Sequence, residues 1–236
     1  MNKKSFLLMI LLFSVKSFSL TPEDILKLVD KWRGPSSSFL IDLKVSSYSK
    51  DEIVESLEMK GYVKGKKSMV YFTSPAKWKG RKMLMVGNDV LMIFPNTSKP
   101  VRLSPSQRLM GDVANGDVAR LTFSQDYNAS LLGEEGDSYI LKLVAKTEGT
   151  TYHSIILWVK KDNFVPIKAT FFSLSGKELK TAYYSELKTL GGEERISKIT
   201  IYDAIKKDNY SVIEFLNMEE KMVADKYFNI EFLMEM

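Results

Sequence analysis

The side chains best suited to chemistry are few and scattered. One histidine, His153, stands alone at the start of a predicted strand. A catalytic imidazole needs a nucleophile on one side and an orienting acid on the other, and nothing near His153 suggests either. A surface or structural role is the simpler reading. Cysteine is absent, which removes disulfides, thiolate metal sites, cysteine nucleophiles and lipid attachment at cysteine. Gly-x-Ser-x-Gly, His-Glu-x-x-His, Walker A and dinucleotide glycine patterns are absent too. A hydrolase would need a clustered nucleophile and base, so no catalytic residue, metal ligand or cofactor is expected.

Asp112-Val-Ala-Asn-Gly-Asp117 has the look of half a calcium loop. Such a loop alternates oxygen ligands and carries a bidentate Glu at position twelve. Val113 and Ala114 break the alternation, and Phe123 occupies the twelfth place. Helix capping by Asp is the better reading. Glu134-Glu135 and Glu193-Glu194 sit in Gly-rich turns and read as solvated. The Asn-x-Ser/Thr triplets at Asn96, Asn128 and Asn209 matter only in a glycosylating host.

The stretch 102–121 departs from its surroundings, which read as strand. Its two Gly-Asp steps, Gly111-Asp112 and Gly116-Asp117, suggest two short helical turns. One would open at Ser104 or Ser106 and one near Asp117. Leu109, Met110, Val113, Val118 and Leu121 make the stretch apolar on one side. A helical flap inserted in a long antiparallel sheet points to a lid over an apolar cavity.

The elements that must position this flap follow from the rest of the chain. Residues 1–19 read as a secretory signal: Lys3 and Lys4 precede an apolar core from Phe6 to Val15, and Ser17-Phe18-Ser19 places small residues for cleavage after Ser19. The core is short for a bilayer span. Of the formal net charge of +5, three units (Lys3, Lys4, Lys16) lie in this leader. Only six of the 34 basic residues are Arg, and acids are interleaved with the lysines. That is not a phosphate-binding stripe, so nucleic acid is an unsuitable partner. Residues 20–236 read as a single domain.

Within it, 21–33 is the clearest helix. Thr21 caps it, Pro22 opens it, Ile25, Leu28, Val29 and Trp32 share one face, and Gly34-Pro35 stops it. From Ser37 the period changes to two, giving strands near 39–46, 56–64, 68–73, 82–86, 90–94 and 101–103. Residues 123–132 read as a second irregular or helical piece. Strands resume near 138–146, 151–161, 166–173, 178–188, 195–203 and 209–219, and 224–228 reads as one helical turn. About eleven strands, with Gly, Asn and Asp at the turns, fit one half-open, strongly curved antiparallel barrel with an N-terminal helix and a short helical lid, mainly β in class.

The order of these parts resembles the LolA-like outer-membrane lipoprotein-sorting family. The resemblance is carried by Trp78-Lys-Gly-Arg-Lys-Met-Leu84, Asn88-Asp-Val-Leu-Met-Ile-Phe-Pro95, Val101-Arg-Leu-Ser-Pro-Ser-Gln-Arg-Leu-Met-Gly-Asp112, Gly116-Asp-Val-Ala-Arg120 and Asp126-Tyr127. It is specific over about residues 75–130 and architectural elsewhere. It implies a periplasmic carrier whose concave face holds acyl chains, hence a lipidated protein or lipid as ligand. It also allows an inner-membrane transporter and an outer-membrane acceptor as partners; we expect a monomer. The family's carriers latch the lid with an arginine, and Arg102, Arg108 and Arg120 are the candidates here.

On this reading the groove is expected from Leu57, Met59, Val63, Met69, Tyr71, Met83, Met85, Leu91 and Ile93, with Leu109, Met110, Val113 and Leu121 on the lid. Methionine suits a wall that must follow ligands of varied shape, although core filling explains it as well. The carrier reading predicts an apolar cavity that copurifies with lipid, and it fails if the lipid-free protein has a solid, side-chain-filled core. The alternative is a non-enzymatic interaction or sensing module of the same fold, working with an envelope membrane-protein complex through a sheet edge or the lid.

Overall fold

A computed structural model describes residues 20–206 and 208–236. The expected signal lies outside the described residues. Helix α1 (Pro22–Arg33) begins as its sequence dictates: Thr21 Oγ1 accepts the Asp24 N–H at 3.2 Å, Pro22 fills the first turn, and the Gly34 N–H closes the end on Asp30 O at 3.2 Å.

The body is one antiparallel sheet of thirteen strands. Its first half is β1 (Phe39–Ser49), β2 (Glu52–Lys64), β3 (Lys67–Ser74), β4 (Lys82–Val86), β5 (Asp89–Ile93) and β6 (Val101–Leu103). Its second half is β9 (Tyr127–Glu135), β10 (Ser138–Ala145), β11 (Ser154–Lys160), β12 (Pro166–Phe172), β13 (Glu178–Leu190), β14 (Glu193–Asp203) and β15 (Asn209–Glu220). Nearly every strand pairs with its sequence neighbour; the exception is the central β1–β15 pair, which joins the two halves. Strands β6 and β9 are the two edges, so the sheet does not close into a barrel. Met83 and Met92 near one edge nevertheless share one core cluster with Leu141 and Ile155 near the other. The sheet must therefore curl around that core.

The stretch between the edge strands, 104–126, crosses this concave side. It holds a small hairpin, β7 (Arg108–Met110) with β8 (Val113–Ala114), and then helix α2 (Asn115–Ala119). The chain ends with a 3-10 turn (Asp225–Phe228) and helix α3 (Ile230–Glu235) on the opposite, convex side. Among the described residues no helix is long and apolar enough to cross a membrane.

Three expectations are corrected. The main sheet has thirteen strands where about eleven were expected. One extra strand is β9, which replaces the irregular or helical piece expected at 123–132; its alternation is broken by a bulge opposite Ile140/Leu141, which placed two leucines side by side. The first helical turn of the lid is instead the β7–β8 hairpin, because Gly111 takes a φ of +52° and reverses the chain there.

Candidate functional site

Strand alternation decides which predicted groove residues meet. The concave face carries Leu57, Met59 and Val63 of β2, then Val70 and Phe72 of β3, then Met83 and Met85 of β4, with Met59 opposite Phe72 and Val70 opposite Met83. Met69 and Tyr71 fall between those β3 positions, so they face the other way. Leu91 and Ile93 of β5 follow them, while Val90 and Met92 point inward. Five of the nine predicted groove residues thus share the concave face, and Met69, Tyr71, Leu91 and Ile93 lie on the convex one. The latter are packed under Val223, Phe228 and Leu233 of the C-terminal strap. The sequence of β3 to β5 is apolar on both faces because both faces are covered, and that removed the signal by which the inner face could be chosen.

The lid residues Leu109, Met110, Val113, Val118 and Leu121 are all buried in the concave core. They occupy the groove themselves. The cavity left between α2 and the inner faces of β12 to β15 is about 40 Å³, room for water but not for an acyl chain. Beneath α2 the concave face is filled by side chains, and a larger cavity of about 280 Å³ remains at the margin of the lid, beside Phe39, Val63 and Leu121.

The lid is tied down through polar groups. Asp117 sits in the first turn of α2, and its carboxylate accepts the Ala114 N–H at 2.7 Å. The same carboxylate accepts the Tyr152 hydroxyl at 2.9 Å and pairs with Lys180, which also donates to Asp112 O at 2.9 Å. Lys180 and Asp117 are both buried, and the ammonium lies 5.0 Å from the Tyr152 ring and 5.5 Å from that of Phe171. Burial and the adjacent Asp117 charge raise the Tyr152 hydroxyl well above its ordinary value, so it remains a donor. Sequence reasoning missed Lys180. The available signal was a lysine sharing the inward register of Ala182 and Tyr184 in β13.

Two close approaches complete the docking. A Cβ on Gly111 would lie 2.7 Å from Ser47 Oγ, and the next residue's N–H donates to Ser211 Oγ at 2.9 Å. A Cβ on Gly116 would lie 2.8 Å from Thr151 Cγ2. The two Gly-Asp steps that drew attention in the sequence are thus the points where the lid backbone meets the body. Burial, with the neighbouring Asp203 charge, raises the Asp112 carboxyl above its ordinary value. Its part is the contact with Ser211 and not the helix cap that was expected.

The candidate latch arginines separate. Arg102 lies on the convex side of β6 and pairs with Asp89 at 2.8 Å with both side chains exposed, so it is no part of the lid. Arg108 is exposed on β7. Arg120, directly after α2, is buried: its Nε lies 2.9 Å from Asp126 Oδ2, and another guanidinium nitrogen donates to Gly87 O in the β4–β5 turn. Of the three candidates, Arg120 alone joins the lid to the sheet. Helix α1 holds the far end, where Asp30 accepts the Phe123 N–H at 2.6 Å and the Ser124 N–H at 2.9 Å. Burial raises the Asp30 carboxyl above its ordinary value against those two donors. His153 is exposed, and its main chain continues the sheet by bonding to Ala145 and Phe172.

A protein-family model described as "Uncharacterized protein" matches residues 64–235. No curated protein sequence matches the chain. Among solved structures, a LolA superfamily protein from Nitrosomonas europaea is 36% identical, with a TM-score of 0.85, covering 91% of this chain and 100% of that one. A DUF1329 family protein from Desulfovibrio piger has a TM-score of 0.75 at 22% identity over 91% of this chain and 100% of its own. An outer membrane lipoprotein-sorting protein domain from Vibrio parahaemolyticus has a TM-score of 0.74 at 17% identity over 90% and 98%. The last two likenesses are of fold alone. With more than a third of its residues shared over nearly its whole length with the Nitrosomonas protein, this chain belongs to the LolA superfamily.

Proposed function

We propose that this chain is an exported, non-enzymatic carrier. It receives acyl chains of lipids or lipoproteins on the concave face of its sheet and moves them through the periplasm toward the outer membrane. The observation that carries this reading is that a separate segment, 104–126, and not the sheet, fills the concave face. Leaving an acyl chain in water costs about 0.8 kcal/mol per CH₂, so a carrier needs a deep apolar surface that does not collapse when empty. Leu109, Met110, Val113 and Leu121 supply a stand-in for cargo, and lifting them would expose Leu57, Met59, Val63, Met83 and Met85. The lid is held by apolar contact together with ionic and hydrogen-bonded ties; on opening, cargo can replace the first and water can satisfy the second. The proposal includes a leader of residues 1–19 removed after Ser19 and one domain over 20–236, acting as a monomer. An inner-membrane donor and an outer-membrane acceptor would complete the route.

The side chains that fill the concave face beneath α2 favour a second reading, an interaction module that docks an envelope membrane protein through its lid. Native mass spectrometry of the mature protein, purified from its envelope without detergent and then extracted with organic solvent, separates the two. The carrier is expected to hold a long-chain lipid or acylated peptide near one-to-one. Clean apo-protein that also refuses a fluorescent acyl probe, yet crosslinks to a membrane protein without lipid, would overturn it.

A further inference from the structure

Three arginines are buried among the described residues: Arg33, Arg120 and Arg195. Two have partners. Arg120 has Asp126 and Gly87 O, and Arg195 donates to Leu190 O, Gly191 O and Glu193. Arg33, at the end of α1, is 6% exposed, and its Nε and one terminal guanidinium nitrogen are buried with no hydrogen-bond partner among the described residues. Its Cζ lies over the Phe123 ring, 3.8 Å from the ring centre.

The nearby carboxylates are already engaged. Asp30 takes the Phe123 and Ser124 N–H groups, Asp126 takes Arg120 and Lys66, and Asp117 takes Lys180, Tyr152 and the Ala114 N–H. Asp30 lies close enough to feel the Arg33 charge, but its hydrogen bonds go to those backbone groups, which leaves Arg33 without a bonded partner at Nε and one terminal nitrogen. A buried charge without a partner is costly, and such a group calls for a missing one.

Arg33 lines the small cavity beneath α2. So does Thr122, whose buried hydroxyl also has no partner. Thr122 and Arg120 continue into a second cavity of about 280 Å³, walled by Phe39, Val63 and Leu121 and rimmed by Lys31. A polar end at Arg33 and Thr122 thus adjoins an apolar passage beside the groove. Resting on the carrier reading, we propose that Arg33 and Thr122 bind the anionic head, a carboxylate or phosphate, of an acyl lipid whose chain enters the concave groove.

The test is equilibrium dialysis of the mature full-length protein with radiolabelled oleate, with oleyl alcohol and with inorganic phosphate, at a pH where the oleate carboxyl is ionised. A charge-assisted bond to the head predicts oleate binding about tenfold tighter than the alcohol. Arg33→Met should bring oleate down to the alcohol's affinity while leaving the alcohol within about twofold, since the chain contacts remain. Thr122→Val gives a milder loss for oleate alone and serves if Arg33→Met does not fold. Equal binding of oleate and alcohol to the unaltered protein would overturn the head-group site and leave the carrier standing. So would a variant that weakens both alike. Phosphate binding as tight as oleate would make the site one for free anions and overturn the proposal. Binding of none of the three would overturn the proposal and the carrier reading together.

Discussion

Two segments of this protein cover apolar sheet, and they differ in the balance of apolar and polar contacts that holds them. The lid at 104–126 covers the concave face, and the strap at 223–236 covers the convex face of β3 to β5. The strap is held mainly by contact, with only two part-buried bonds beside it among the described residues, Lys82 Nζ to Leu233 O at 2.9 Å and the Val223 N–H to Ser38 Oγ at 3.2 Å. Val223, Phe228 and Leu233 are buried against Met69, Leu84 and Ile93, Tyr227 stacks on Tyr62 at 4.2 Å, and the polar links of Asp225 to Lys64 and Lys67 are exposed. The lid adds buried polar ties to its apolar contacts. Apolar contact is non-directional, and breaking it always exposes area to water. A buried ion pair contributes little net stability, because opening restores hydration to both charges. The strap therefore reads as a permanent cover and the lid as a releasable one, with its register fixed by polar contacts.

The contrast can be broken at its strongest point first. Lys180→Met leaves the Asp117 carboxylate buried without its cation, at a cost of about 3–5 kcal/mol. Hydrogen exchange should rise across 105–121 and stay unchanged across the strap; equal rises in both would end the distinction. Adding Asp117→Asn should recover part of the loss. Leu233→Ala removes a fully buried side chain of the strap, and denaturant unfolding should show a loss of about 2–4 kcal/mol. Here exchange should rise in the strap, with the lid unaffected. A smaller change sharpens the lid's side of the comparison. Gly111→Ala puts a methyl group against Ser47 at a backbone angle unsuited to it, worth about 1–2 kcal/mol. Limited proteolysis within the lid and uptake of a fluorescent acyl probe should both increase. The smallest effect is expected from Asp225→Asn. Its salt bridges are solvent-exposed, and the unfolding midpoint should not move measurably.

Some of this was legible in the chain itself. Thr21, Pro22 and Gly34 bounded the first helix because caps are local chemistry. Period-two runs gave β1 and β2 with their inward faces, since one face is wet and the other dry. The Gly-Asp steps marked the segment that covers the concave face, and its internal structure only in part. They were read as two helix openings, whereas Gly111 turns a hairpin and Gly116 lets α2 sit close to Thr151.

The rest was decided by tertiary structure. Where β3 to β5 are apolar on both sides, only the placement of the strap shows that Met69, Tyr71, Leu91 and Ile93 are covered from outside. Arg102, Arg108 and Arg120 are equivalent as letters; register puts the first on the convex face and burial pairs the last with Asp126. Lys180 lies more than sixty residues from Asp117, and no local pattern links them. By itself the sequence determined the helix, the strands' alternation and the place of the lid, because those depend on neighbours along the chain. Which residues meet beneath the lid was settled by the curl of the sheet, which brings distant strands to one core and leaves two guanidinium nitrogens of Arg33 there without a hydrogen-bond partner.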